Sequence, residues 1–351
     1  MMTFRNERLK SFAIPAGSVW LMTDIAQSKG RQDLYTKQAP QILKALRDMA
    51  LVQSVESSNR IEGITVSAQR LKSLVLGNVR PKNRSEEEVQ GYRKALSLIH
   101  ANHENLSITP ELMKKFHLMI QEGSGDAGQF KKVDNEIIET KPGQPPFIRF
   151  KPVSVKETPK AVEELCLAYR HAVNQEHVPP ILAIAALVLD FLSIHPFRDG
   201  NGRVARLLTL IALYQHGIEV GRYISIERLV EDTREDYYRV LLESSKKWHE
   251  GKHDIIPWFN YFLSIIRRAY IEFEERAGKV KSAKGAKTDL ILDAIKSFTG
   301  NFTLADLEKA SPGVSRDMVR LVLKDLSKKG AVKCLGKGPG ALWAKEGNTL
   351  K

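Results

Sequence analysis

His195-Pro-Phe-Arg-Asp-Gly-Asn-Gly-Arg-Val-Ala-Arg206 joins two apolar segments, Pro180 to Ile194 before it and Gly202 to Tyr214 after it, both with helical period. The run from Ile181 to Ile194 is interrupted by Asp190. It is shorter than the ~20 residues a membrane span requires, so it reads as a buried core helix. The bend between the helices holds Asp199, Gly200, Asn201 and Gly202. Two glycines around an asparagine let backbone N–H groups converge into an anion nest, and the dipole of the following helix points at the same spot. Arg203 and Arg206, at i and i+3, share a helix face and suit bidentate contact with phosphates. Asp199 is a hard oxygen ligand suited to Mg²⁺ bridging phosphate oxygens. His195, on the rim, titrates near neutral pH and can act as general base toward a hydroxyl. Base, metal ligand, phosphate cradle and charge clamp are the parts of nucleotidyl transfer.

Outward from this stretch, helical period dominates. Pro40 to Asn59 reads as a long amphipathic helix stopped by Gly63, and Ser85 to Asn102 as one capped by Ser85 with Glu86–Glu88 in its first turn. Thr109 N-caps a helix with Pro110 at its first position that runs to about Gln121. Between Gly123 and Pro152, short alternating arms (Val133 to Thr140, Phe147 to Lys151) around the loop KPGQPP predict a small β-hairpin. Further helices are expected over Thr158 to Asn174, Arg234 to Trp248 and Ile256 to Arg276.

A basic stretch follows, GKVKSAKGAK at 278–287, read as a flexible linker. Beyond it come a helix (Leu290 to Phe298), a second helix capped by Thr303, a turn, a third helix from Ser315 through Lys329, and a hairpin (Ala331 to Leu335, Ala341 to Ala344). That order predicts a winged helix-turn-helix. The expected domains are 1–105, an N-terminal helical region; 106–277, the catalytic body; 278–287, the linker; and 288–351, the winged helix. The fold class is mainly α.

The chain has 351 residues and a formal net charge of +13, a field that favours polyanions or an acidic partner. From residue 278 onward, 15 Lys/Arg face 7 Asp/Glu. Arg316, Arg320 and Lys324 share one face of the third helix, and Lys333 and Lys337 mark the wing. This arrangement fits phosphate contacts with DNA, although winged helices also bind proteins and this helix has no Asn or Gln to read bases. Two distant cysteines, Cys166 and Cys334, exclude a disulfide framework and fit a reducing compartment. With neither a secretory signal nor a membrane span, a cytoplasmic location is expected.

At the twelve-residue stretch the chain resembles the Fic-domain proteins, whose signature it matches at every defining position. The resemblance implies a helical bundle with a small β-hairpin flap. It also implies a Mg²⁺- and ATP-dependent transfer of AMP to a Tyr, Thr or Ser hydroxyl of a protein target, the chain itself included. It implies His195 as base, Phe197 as anchor of the loop, Asp199 as Mg²⁺ ligand, Gly200 to Gly202 around the α- and β-phosphates, and Arg203 and Arg206 on the β- and γ-phosphates. Arg198 falls within the same nucleotide-binding stretch. Tyr237 and Tyr238 resemble a pair bordering the adenine, and equally suit plain packing. Asn135, Glu136, Ile137 and Ile138 occupy the place of the flap that pairs with a target strand.

Ser58-Asn-Arg-Ile-Glu62-Gly63 resembles the family's inhibitory motif, in which Glu62 would pair with Arg206 and deny it to the γ-phosphate. Read without that resemblance, it is a helix end with a glycine cap. Two alternatives stand beside the transferase: a nucleotide-sensing regulator that binds DNA through the winged helix, and a de-AMPylase in which Glu62 orients a water. A homodimer is a possible assembly, and self-modification or a change of assembly would be a natural way to relieve inhibition.

Overall fold

The computed structural model describes residues 3–36, 40–77, 79–139, 145, 147–175, 178–282, 288, 291–292, 294–295, 298, 300–311, 314–336, 338 and 340–346. The chain divides into two compact units: one from the described residues of 1–32 and 43–273, the other from those of 33–42 and 274–351. The boundary expected at 105/106 falls inside the first unit.

The first unit is helical. Its centre is α7 (Pro180–Ile194), in which every side chain from Ile181 to Ile194 except Leu192 is buried. A helix apolar all round must be enclosed by others. Here α6 (Thr158–Asn174) and α8 (Asn201–Gln215) flank it. Its one buried acid, Asp190, is satisfied by the Trp248 indole N–H at 2.6 Å and the Thr3 backbone N–H at 3.1 Å. Helices α4 (Arg84–Asn102) and α5 (Pro110–Ile120) pack on each other and on α8. The α2 helix (Pro40–Ile61) sends its end toward α8, as its bonds below show. Helices α9 (Ile226–Asp232) and α10 (Arg234–Ser245) adjoin one another, and α10 packs on α7. Helices α1 (Ala16–Thr36) and α3 (Ala68–Leu76), which like α9 were not anticipated from sequence, complete the start of the chain. The hairpin is shorter than expected: β1 (Ile137–Glu139) pairs antiparallel with β2 (Phe147–Phe150), with Ile138 opposite Ile148. Most of its loop, 141–146, lies outside the described residues.

Cap chemistry explains several boundaries. Thr109 accepts from the Leu112 N–H and starts α5 as expected. For α4 the cap is Asn83, which accepts from Glu86, rather than Ser85. Helix α10 stops at Ser245, not Trp248: Lys246 leaves the helical region with ψ 129°, and Lys247 follows with a left-handed φ of 57°. Helix α11 (Ile256–Ser282) continues past Arg276 through the first five residues of the expected linker, and 283–287 are not described.

The second unit contains helical residues at 291–292 and 294–295, then β3 (Phe302–Thr303), α12 (Leu304–Ala310), α13 (Arg316–Lys328), β4 (Val332–Cys334) and β5 (Leu342–Lys345). Thr303 and Asp306 form a reciprocal capping box on α12, and Ser315 caps α13. The sheet order is β3-β5-β4, so the expected hairpin gains a third, two-residue strand. Ile291, Ile295, Phe302, Leu307, Val319, Leu323 and Val332 form its core. Lys337 is outside the described residues. No helix among the described residues is long and apolar enough to cross a membrane.

Candidate active site

His195 ends α7 in the left-handed conformation (φ 51°, ψ 61°) while its N–H still closes the last turn on the Phe191 carbonyl at 2.9 Å. Its Nδ1 lies 3.3 Å from the Leu192 carbonyl. A carbonyl only accepts, so Nδ1 carries the proton and Nε2 keeps a lone pair. Burial pushes the imidazole pKa down to about 4, against the Leu192 hydrogen bond, which favours protonation. The ring is therefore neutral at pH 7.

The loop after it is held by its own side chains. Asn201 is buried and reciprocally bonded to Phe197: its Oδ1 accepts from the Phe197 N–H at 2.9 Å and its Nδ2 donates to the Phe197 carbonyl at 2.8 Å. The Phe197 ring is fully buried and stacks on His117 with centroids 4.0 Å apart. Phe197, also counted in the nucleotide-binding stretch, sits as the expected anchor of the loop, whereas Asn201, expected around the phosphates, turns its side chain inward to shape the loop. Gly200 takes φ +76° as α8 begins, a conformation that suits glycine. Asp199 is exposed, with Oδ1 accepting from the Gly200 N–H at 2.6 Å and Oδ2 from the Gln121 amide at 3.1 Å. Arg198 is exposed and is not among the residues lining the cavity described below.

The two arginines part company. Arg206 lies against the end of α2: its Nε donates to Ser58 Oγ at 2.8 Å, and its Nη2 to the Ser58 carbonyl at 2.8 Å and to Glu62 Oε1 at 2.7 Å. Arg203, expected beside it on the phosphates, is wholly buried behind the loop. Glu88 of α4 draws it there, accepting from Nη1 at 2.6 Å, while Asn59 Oδ1 stands at 3.4 Å. Residues at i and i+3 share a helix face, but each guanidinium goes to the nearest carboxylate. The Nε and Nη2 of Arg203 have no hydrogen-bond partner, and Nη2 stands 3.9 Å from Asp199 Oδ2.

The end of α2 owes its shape to Gly63. At φ +80° it lets the Gly63 N–H reach the Arg60 carbonyl and the Ile64 N–H reach the Asn59 carbonyl, both at 3.0 Å, a Schellman closure. That closure delivers Glu62 beside Gly202, where a Cβ would overlap Glu62 Oε1.

A cavity of about 830 Å³ opens at this place. Its walls include Glu62, His195, Gly202 and Arg206 at one part, and Ile137 and Ile138 of the hairpin with Tyr237 and Tyr238 of α10 at another. The Tyr237 and Tyr238 rings meet edge-on at 5.2 Å. Arg149 of β2 donates to the Tyr238 carbonyl at 2.8 Å and, with Arg234, stands over the Tyr238 ring at 5.1 and 5.6 Å. Asn135 and Glu136 do not line the cavity.

Sequence reasoning passed over Gln121, His117, Glu88, Asn59, Arg149 and Arg234. Asn59 sits inside the Ser58–Gly63 motif and was within reach of inspection. The others lie on separate elements with no local signal.

Among the described residues, no group of three or more His, Cys, Asp or Glu side chains converges on a metal position. Asp199 alone fits Mg²⁺ held mostly by substrate phosphates and water, the usual way this ion binds beside a nucleotide.

Residues 107–213 match the Fic/DOC family model. A Fido domain-containing protein of Dictyostelium discoideum is 29% identical over 99 residues, which cover 27% of this chain and 65% of that relative's length. Among solved structures, a Fic family protein from Desulfovibrio desulfuricans superposes with TM-score 0.63 at 21% identity, covering 96% of this chain and 98% of its own. A Fic domain-containing signalling protein from Bacteroides thetaiotaomicron gives 0.62 at 22%, covering 73% and 97%. At these identities the structures speak for the fold; with the family match they support a Fic/Fido domain in this chain.

Proposed function

We propose that this chain is a protein adenylyltransferase that moves AMP from ATP to a side-chain hydroxyl of a protein target, itself included, and that Glu62 holds it in check. Fic proteins generally transfer AMP or another nucleotide-derived group to proteins. The observation that carries the reading is the neutral His195, with Nδ1 committed to Leu192, on the wall of the cavity that Arg206 and Glu62 also line.

His195 Nε2 takes the proton of the target hydroxyl as its oxygen attacks the α-phosphorus; the bond to the β-phosphate bridging oxygen breaks, and pyrophosphate leaves. A base of pKa about 4 is weak, but phosphates bound beside it raise its proton affinity. The amides of Gly200 to Gly202 and the N-terminus of α8 cradle the phosphates, with the unspent donors of Arg203 behind them. Asp199 would hold Mg²⁺, which when bound neutralises phosphate charge. Ile137, Ile138, Tyr237 and Tyr238 enclose the base, and the flap presents the target by strand pairing.

Arg206 reaches the γ-phosphate only after leaving Glu62 and Ser58, so docking of α2 competes with productive nucleotide. Glu62→Gly should accumulate AMP adducts with MgATP, read by intact mass, on the chain or an added target. Adding His195→Ala should remove them by roughly 10²–10⁴-fold. A Glu62→Gly protein that neither binds nucleotide nor gains mass refutes the proposal. Loss of AMP from a modified target on incubation with the wild type would favour the reverse reaction.

The element order after residue 290, with a basic α13, supports a winged helix-turn-helix reading of the second unit. Arg316 and Arg320 stand 3.4 and 3.7 Å from Glu308 and Asp317, exposed pairs worth little that phosphates can displace. Duplex binding that weakens steeply with salt and survives His195→Ala is the outcome that favours a DNA-linked role.

A further inference from the structure

Lys131 is a cation the chemistry above does not use, and it is only 5% exposed. Enclosing an ammonium is costly unless its protons find acceptors, and the acceptors of Lys131 are distinctive. Its backbone N–H donates to the Pro196 carbonyl at 2.8 Å, and its Nζ donates to the Ile194 carbonyl at 3.3 Å. The Ile194 carbonyl belongs to the peptide that enters His195, and the Pro196 carbonyl to the peptide just beyond Pro196. Nζ also donates to Asn135 Oδ1 at 3.0 Å, two residues before β1. The preceding ring, Phe130, packs on Phe197 at 5.6 Å.

His195 requires such a hold. A left-handed backbone costs a residue with a Cβ about 1–2 kcal/mol, and it persists only where the surroundings over-determine it. The Phe191 bond fixes the plane of the Ile194–His195 peptide, but not the chain beyond His195, where the Lys131 N–H holds the Pro196 carbonyl.

We propose that Lys131 is the positioning residue for His195: its side chain and its own N–H clamp the peptide that enters His195 and the peptide just beyond Pro196 to the root of the flap. The placement of the base and that of the hairpin are thereby joined, so a target strand docking on the flap is registered against His195. The catalytic consequence rests on the adenylyl-transfer reading; the clamp itself does not.

The charged groups that bear on His195 are Lys131 before β1, Glu62 on α2 and Asp199 in the loop. After burial, which lowers the imidazole pKa, and the Leu192 bond, which raises it, Lys131 lowers it and both carboxylates raise it. Burial also pushes the ammonium of Lys131 down to about 8, with Asp134 opposing, so the clamp loses its charge as pH rises through that value.

The test uses the full chain with Lys131→Met and Lys131→Arg. Histidine ring ¹⁵N correlation spectra follow the tautomer and titration of His195, whose signal is identified by its loss in His195→Ala. The wild type and Lys131→Arg should hold the Nδ1–H tautomer; Lys131→Met should show a mixed tautomer and an imidazole pKa shifted upward. In the Glu62→Gly background, Lys131→Met should lower kcat for AMP transfer roughly 10–100-fold with nucleotide Kd within about twofold, and Lys131→Arg should recover most of it. A Lys131→Met protein with an unaltered tautomer and titration overturns the clamp. Should the Met variant fail to fold, Lys131→Gln replaces it under the same criteria. If the Glu62→Gly parent transfers no AMP, the adenylyl-transfer reading fails while the ring spectra still decide the clamp.

Discussion

Glu62 and Gly202 show how closely the site is fitted at the scale of single residues. The carboxylate oxygen that accepts from Arg206 occupies the space a Cβ on Gly202 would need. The far end of a glutamate can move, so Gly202→Ala should dislodge Glu62 rather than unfold the loop. We expect a loss of about 1–3 kcal/mol in stability, measured by denaturant titration, and a loss well below that when Glu62→Gly is already present. Equal losses in both backgrounds would contradict the fit. Glu62, His195 and Arg206 were legible from sequence because their spacing forms a motif. The position of Arg203 was not, because its partner Glu88 lies far away in the chain on α4.

In the proposed reading, inhibition turns on the end of α2. Ser58, Asn59 and Glu62 engage both arginines of α8, and Ser54 ties the same helix to α9 by donating to Glu227 at 2.7 Å. Gly63→Ala forces a Cβ into φ +80° and should cost about 1 kcal/mol, read as a lower melting temperature. Fraying of that end should also raise basal AMP transfer in a protein that keeps Glu62. Elements started by a side-chain cap, such as α5, α12 and α13, or by a proline in the first turn, such as α6 and α7, were readable to within a residue or so. Helix α1, mixed in composition, and β3, two residues long, were not, since only packing and pairing partners define them.

At the scale of the molecule, acid sensitivity follows from buried imidazoles. His195, His100 and His253 are each pushed down to about 4, first by burial. Their unfolded pKa is about 6.5, so between pH 6.5 and 4 the unfolded chain binds protons that the folded chain refuses. Stability therefore falls as pH drops through that window. Asp190, pushed up to about 6 by burial, acts in the opposite sense over the lower part of the range, leaving the three imidazoles dominant. Thermal unfolding should shift to lower temperature from pH 7 to pH 4.5, and His253→Phe should soften the shift. A melting temperature that is flat or rising toward acid would contradict this balance.

Local order alone determined the mainly helical character, the chemistry of the His195–Arg206 bend and the Ser58–Gly63 helix end, because periodicity, caps and glycine placement act within a few residues. Tertiary structure decided which arginine faces the cavity, what holds His195 in its left-handed turn and where the carboxylate of Glu62 comes to rest. Each of these depends on a partner many residues away, and burial makes an unpaired charge too costly to leave where the helix face alone would put it.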